Sequence, residues 1–83
     1  MAQILFFGRL GERAGGQTHT VSLPPDVMTT EDVRRFVAVQ FPDLVEDLAA
    51  PSVRIAVNRE IVLGKAPVSD ADEIAFLPPF SGG

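Results

Sequence analysis

Glu73-Ile74-Ala75-Phe76-Leu77, stopped by Pro78-Pro79, is the last apolar run of the chain, and its alternation decides the fold. Ile74 and Phe76 share one face and Ala75 and Leu77 the other, the period of two expected of a strand. Residues 2–10 (AQILFFGRL) open the chain with a matching apolar run, in which Ile4, Phe6 and Phe7 favour a strand. A compact mixed sheet with the first and last strands side by side is the simplest way to bury Ile4, Phe6, Ile74 and Phe76 against one helix.

The segments between them supply the rest of that sheet and its helix. Residues 11–16 read as a glycine-rich turn. Residues 18–23 (THTVSL) alternate Thr18, Thr20 and Ser22 against His19, Val21 and Leu23, a second strand that forms a hairpin with the first. Pro24-Pro25-Asp26 ends it. Thr29 followed by Asp32 resembles a capping box, with Asp in place of the usual Glu or Gln. The helix it opens carries Val33, Phe36, Val37 and Phe41 as one apolar stripe, and Pro42 stops it. Residues 43–49 fit one or two further helical turns. Residues 53–57 (VRIAV) alternate again, with Val53, Ile55 and Val57 on one face. Asn58-Arg59-Glu60 reads as a tight turn, residues 61–63 as a short strand and residues 67–72 as a turn. The order is strand, strand, helix, short helix, strand, strand, strand. The expected fold class is α+β: a β-grasp, or ubiquitin-like, mixed sheet of about five strands with one main helix on one face. The expected organisation is a single domain over residues 1–83, with residues 78–83 as an extended C-terminal tail.

Composition narrows the function. A chain of 83 residues that is 46% hydrophobic can build a real core without staples. It has no cysteine, hence no disulfide framework and no thiolate metal site. Its net charge of −4 comes with no basic patch, which argues against nucleic acid and anionic membranes as partners and for a basic partner protein. No apolar run is long enough to span a membrane, and the start lacks the charged region of a signal peptide, so a cytoplasmic location is expected. Asp70, Asp72 and Glu73 read as a turn before a strand, with no fourth ligand nearby, so no metal site is expected. His19 reads as a solvent-facing strand residue with no catalytic partner. Gly8, Gly11, Gly15 and Gly16 lack the Lys-Ser/Thr of a phosphate loop and lead into a strand. Arg34 and Arg35 read as part of a solvated helix face.

The chain ends Pro78-Pro79-Phe80-Ser81-Gly82-Gly83. Two glycines at a free carboxyl end make a slim tip that fits a narrow active site. ATP-dependent activation would turn the Gly83 carboxylate into an acyl adenylate open to a sulfur or nitrogen nucleophile. With no thiol side chain present, that carboxylate is the obvious place to hold sulfur. The six residues from Pro78 reach roughly 20 Å when extended, and the two prolines stiffen the base.

Ile4-Leu5-Phe6-Phe7-Gly8, Val57-Asn58-Arg59-Glu60 and above all residues 70–83 (DADEIAFLPPFSGG) resemble the small subunits of molybdopterin synthase, a ubiquitin-like sulfur carrier family. The resemblance covers the whole chain, and its specific motif is the last dozen or so residues. It implies that an adenylyltransferase resembling ubiquitin-activating enzymes uses ATP to adenylate Gly83. Sulfur transfer then yields a thiocarboxylate. The synthase large subunit receives the tail and passes the sulfur to the pterin precursor. The resemblance also implies a two-plus-two heterotetramer, no stably bound cofactor, and no enzymatic activity for the small subunit alone. Residues Phe80, Ser81 and Gly82 would enter the partner's site. The chain departs from the family pattern at Gly11, where Arg is frequent, at Ala71, where Gly is frequent, and at Phe80, where Val is usual.

Alternation places Leu5, Phe7 and Leu77 on the sheet face that a single helix leaves uncovered, with Ile61 beside them. Exposed apolar clusters tend to mark partner surfaces, so Phe7, Ile61, Leu77 and Phe80 are the expected docking residues for the large subunit and then the activating enzyme. Two other readings stay open. One is a sulfur carrier for thiamine or cysteine biosynthesis, which shares the fold and the Gly-Gly end. The other is a ubiquitin-like modifier or plain interaction module.

Overall fold

The computed structural model describes residues 1–79. Five strands form one sheet in the order β2-β1-β5-β3-β4. They are β1 (Ala2–Phe6), β2 (Thr18–Val21), β3 (Arg54–Val57), β4 (Glu60–Val62) and β5 (Glu73–Leu77). The helices are α1 (Arg9–Ala14), α2 (Thr30–Gln40) and α3 (Val45–Ala49), and a 3₁₀ turn over Pro42–Leu44 leads into α3. The central pair β1–β5 is parallel and sets Ile4 beside Ile74 and Phe6 beside Phe76. Every other pairing is antiparallel. This is the β-grasp arrangement, and the expected pairing of the first and last strands is its axis.

The core lies between that axis and the helices. Ile4, Phe6, Ile74 and Phe76 are sealed from solvent together with Val33 and Val37 of α2, Leu10 of α1, Leu44 and Leu48. Phe6 stacks on Phe76 with ring centroids 5.7 Å apart and meets Phe41 edge-on at 5.1 Å. Such pairs add about 0.5–1.5 kcal/mol each beyond the area they bury.

Helix α2 starts where the capping box places it. Thr29 Oγ1 accepts from the Asp32 N–H at 3.3 Å, and Asp32 Oδ2 accepts from the Thr29 N–H at 3.1 Å. Two otherwise orphaned N–H groups are thereby satisfied reciprocally. The helix ends at Gln40, and Pro42 opens the 3₁₀ turn. The helical turns expected over residues 43–49 are present as the 3₁₀ turn and α3.

One segment differs from the sequence reading. Residues 2–10 do not form one strand, nor residues 11–16 a turn: β1 stops at Phe6, and residues 9–14 are helix α1. Gly8 makes the corner at φ 58° and ψ −137°, a conformation that side chains disfavour. Leu10 then turns back into the core. Gly11 lets α1 lie against the strand it has just left, because a Cβ there would stand 2.8 Å from the Phe6 carbonyl oxygen. The turn after β3 is also tighter than expected. Asn58 and Arg59 alone make it, both at positive φ, and Glu60 already pairs with Val57.

Candidate functional site

The sheet face opposite α2 is bare, and three of the expected docking residues meet on it. Strand pairing lays Leu5 beside Ala75, Ala75 beside Ala56 and Ala56 beside Ile61, one row across four strands. Phe7 and Leu77 stand two residues beyond Leu5 and Ala75, on the side of that row from which the tail departs. Together these residues line a shallow depression of about 530 Å³, rimmed at its other end by Arg59 and Glu73. Ile61 is 60% exposed, which decides that it contributes nothing to the core and is free to meet a partner. Leu5, Phe7 and Leu77 are half-buried, and Ala56 and Ala75 are buried among them.

The base of the tail is fastened to this face. The Phe7 N–H donates to the Phe76 carbonyl at 3.1 Å and extends the parallel pairing by one step. Pro78 packs over Gly8, where an added Cβ would stand 3.1 Å from the proline Cγ. The direction in which the chain leaves Leu77 is therefore set by β5, Phe7 and Gly8. The remaining expected site residues, Phe80, Ser81, Gly82 and Gly83, lie outside the described residues.

Sequence reading missed Ala56, Arg59 and Glu73 as part of this surface. The signal for Ala56 was present: if Val53, Ile55 and Val57 face the core, Ala56 faces away. Arg59 and Glu73 meet only because the hairpin folds back beside β5, where Arg59 Nε lies 3.7 Å from Glu73 Oε1. That ion pair is largely in solvent and orients the rim more than it stabilises the fold.

Two carboxylates elsewhere have structural partners. Asp70 Oδ1 accepts from the Leu23 N–H at 2.7 Å, and its other oxygen lies 3.2 Å from the N-terminal amine. The Leu23 N–H, then the amine, hold the Asp70 carboxyl below its ordinary range. Asp72 accepts from the Asn58 side chain at 3.0 Å and from the Ser69 N–H at 2.7 Å, and both lower its pKa. The two carboxylates are thus the acceptors of a turn. Among the described residues, no group of three or more His, Cys, Asp or Glu is placed to hold a metal ion.

Two further readings need correction. His19 is not solvent-facing. It pairs with Ile4 on the core side of β2, edge-on to Phe41 at 4.9 Å and to Phe6 at 5.6 Å. Arg34 is not part of a solvated face. It is half-buried, and its guanidinium donates to the Leu48 carbonyl and, at 3.1 Å, to the Val53 carbonyl, tying α2 to the end of α3 and the start of β3. Arg35 does remain exposed, paired with Asp32. A second cleft, about 480 Å³, lies between α2 and α3 on the helical side, away from the bare sheet face. No helix among the described residues is long and apolar enough to cross a membrane.

A model of the ThiS family matches residues 4–83. The molybdopterin synthase sulfur carrier subunit of Escherichia coli (strain K12) is 34% identical over 83 residues, covering all of both chains. The crystal structure of SAMP1 from Haloferax volcanii superposes with a TM-score of 0.80 at 25% identity, covering 99% of this chain and 98% of that one. A complex of subunits 1 and 2 of molybdopterin-converting factor from Helicobacter pylori contains a chain of the same fold. It gives a TM-score of 0.64 at 22% identity and covers 99% of this chain and 97% of that one.

Proposed function

Because this chain belongs to the ThiS family and matches a molybdopterin synthase sulfur carrier subunit along its whole length, we propose that it carries sulfur for molybdenum cofactor biosynthesis on its C-terminal glycine. The observation that carries the reading is the bare apolar sheet face continuous with the root of a Gly-Gly tail, in a protein with no cysteine. A thiol-free chain can hold sulfur covalently at its terminal carbonyl, and the sheet face supplies the handle by which a partner grips it.

The chemistry follows from the carboxylate. The Gly83 carboxylate attacks the α-phosphate of ATP within an adenylyltransferase of the ubiquitin-activating type, and pyrophosphate leaves. A sulfide-level donor then attacks the carbonyl carbon, the C–O bond to AMP breaks, and a thiocarboxylate remains, a stronger nucleophile than the carboxylate it replaces. In the synthase, the large subunit covers the sheet face through Phe7, Ile61 and Leu77. It takes up Phe80, Ser81 and Gly82 so that the Gly83 sulfur reaches the pterin precursor. The small subunit supplies sulfur and reach, and the catalytic groups belong to the partner. A cytoplasmic location fits this chemistry, which consumes ATP.

The test is an intact mass after incubation with ATP, a sulfur source and the activating enzyme. The expected result is one oxygen-to-sulfur exchange located at Gly83, and none in a chain lacking Gly82-Gly83. A full-length chain that never exchanges oxygen for sulfur overturns the reading. A second reading, a protein modifier, is favoured by the structural likeness to SAMP1, one of the solved small archaeal modifier proteins. It predicts Gly83 joined by isopeptide bonds to lysines of other proteins, which peptide mapping of cell extracts would reveal.

A further inference from the structure

We infer that Ala56 and Ala75 turn the bare sheet face into a socket. It selects partners that present one bulky apolar side chain, leucine-sized or aromatic, flanked by a carboxylate. This rests on the reading of that face as the handle of a sulfur carrier, and it specifies what the handle recognises.

The argument begins with strand preference. Central strand positions on an apolar face favour β-branched and aromatic residues, and alanine is depleted there. Yet the two middle positions of the row Leu5-Ala75-Ala56-Ile61 are both alanine, paired directly across β5 and β3. Leu5, Phe7, Leu77 and Ile61 rise around them and leave the hollow of about 530 Å³. Packed side chains fill space to crystal density, so a floor of two methyl groups walled by larger residues calls for a complementary knob. The hollow has no converging polar groups on its floor that would orient a small molecule.

Two observations identify the occupant as a protein. The chain leaves Leu77 at the wall of the hollow, and from Pro78 it reaches roughly 20 Å at most. Any enzyme that works on the end of so short a tether must rest against this end of the sheet. The second observation is charge. Arg54 pairs with Leu77 across β3 and β5 and, by alternation, lies on the strand face that carries Ala56. It has no ion-pair partner among the described residues, unlike Arg59 at the other end, which is engaged with Glu73. A cation beside an apolar hollow fits a partner carboxylate beside its knob, which favours both encounter and register. Anchors that fill central pockets carry most of the binding energy of such interfaces.

The experiment compares the wild-type chain with Ala56→Leu and Ala75→Leu for binding to the purified large subunit of the synthase, by calorimetry. Both substitutions enlarge side chains that are buried at the floor of the hollow, so the melting temperature and far-ultraviolet dichroism report whether the fold holds. Overfilling a fitted contact should raise the Kd roughly 10- to 100-fold. Arg54→Glu should weaken binding as well, and more at low salt than at high salt. Folded Leu variants that bind as tightly as the wild type overturn the socket. If one Leu variant fails to fold, the other and Arg54→Glu still decide the matter. Failure of the socket is distinct from failure of the carrier reading. In the first case the wild-type chain still becomes a thiocarboxylate and binds. In the second it does not exchange oxygen for sulfur at all.

Discussion

Gly11 is the residue at which local preference and packing disagree most plainly. It sits inside α1, where alanine is favoured over glycine by about 1 kcal/mol. It is also buried, and a Cβ there would stand 2.8 Å from the Phe6 carbonyl oxygen. That oxygen belongs to backbone, so either β1 or α1 must move to relieve the contact, at a cost of about 1–3 kcal/mol. The steric term exceeds the helix gain. Gly11→Ala should therefore lower the unfolding free energy by about 1 kcal/mol, read from the midpoint of chemical denaturation. An unchanged or raised midpoint would mean that α1 does not rest on the end of β1.

At the scale of elements, the β3–β4 hairpin stores strain beside the proposed docking surface. Its two turn residues, Asn58 and Arg59, have φ of 51° and 72°. Asn tolerates that region well, while Arg does so at a cost of order 1 kcal/mol or more. Asn58 also clasps the start of β5: its N–H donates to the Glu73 carbonyl at 2.7 Å, and its side-chain oxygen accepts from the Glu73 N–H at 3.0 Å. Replacing Arg59 by Gly would produce the preferred Asn-Gly turn. It would forfeit only an exposed ion pair worth under about 1 kcal/mol, together with some chain entropy. Arg59→Gly should therefore raise stability by about 0.5 kcal/mol, measured by thermal and urea unfolding. A lower midpoint would show that the Arg59–Glu73 contact contributes more than its exposure implies.

For the whole molecule, acid is the condition that should loosen the fold. Asp32, Asp70 and Asp72 each lie below the ordinary value of 3.8 because they accept hydrogen bonds in the folded state. For Asp32 the leading cause is the Met28 N–H, followed by the Thr29 side chain. A carboxyl whose pKa is depressed by folding stabilises the native state above its unfolded value of 3.8. That contribution disappears as the pH falls through the folded values. Stability should accordingly be flat from neutral pH down to the usual carboxylate range and decline below it. Asp70→Asn should flatten part of that decline, because it removes the ion pair with the N-terminal amine while leaving an oxygen for the Leu23 N–H. Urea midpoints measured across this range would check the sign, and a midpoint that rises on acidification would contradict it.

The strands and the capped helix α2 could be read from the chain because each leaves a local trace. Alternation along 73–77 reports a strand, Thr29 and Asp32 report a helix start, and the residues 70–83 carry the family likeness. All three depend on neighbours within a few positions. Helix α1 and the carbonyl-capping role of Arg34 left no such trace. The last of these arises where segments distant in sequence come within a few ångströms, as Arg34 does with the Val53 carbonyl, and the same closure sets Ala75 beside Ala56. Side-chain volume acts between such segments only once the sheet has closed, so that part of the protein was decided by its tertiary structure alone.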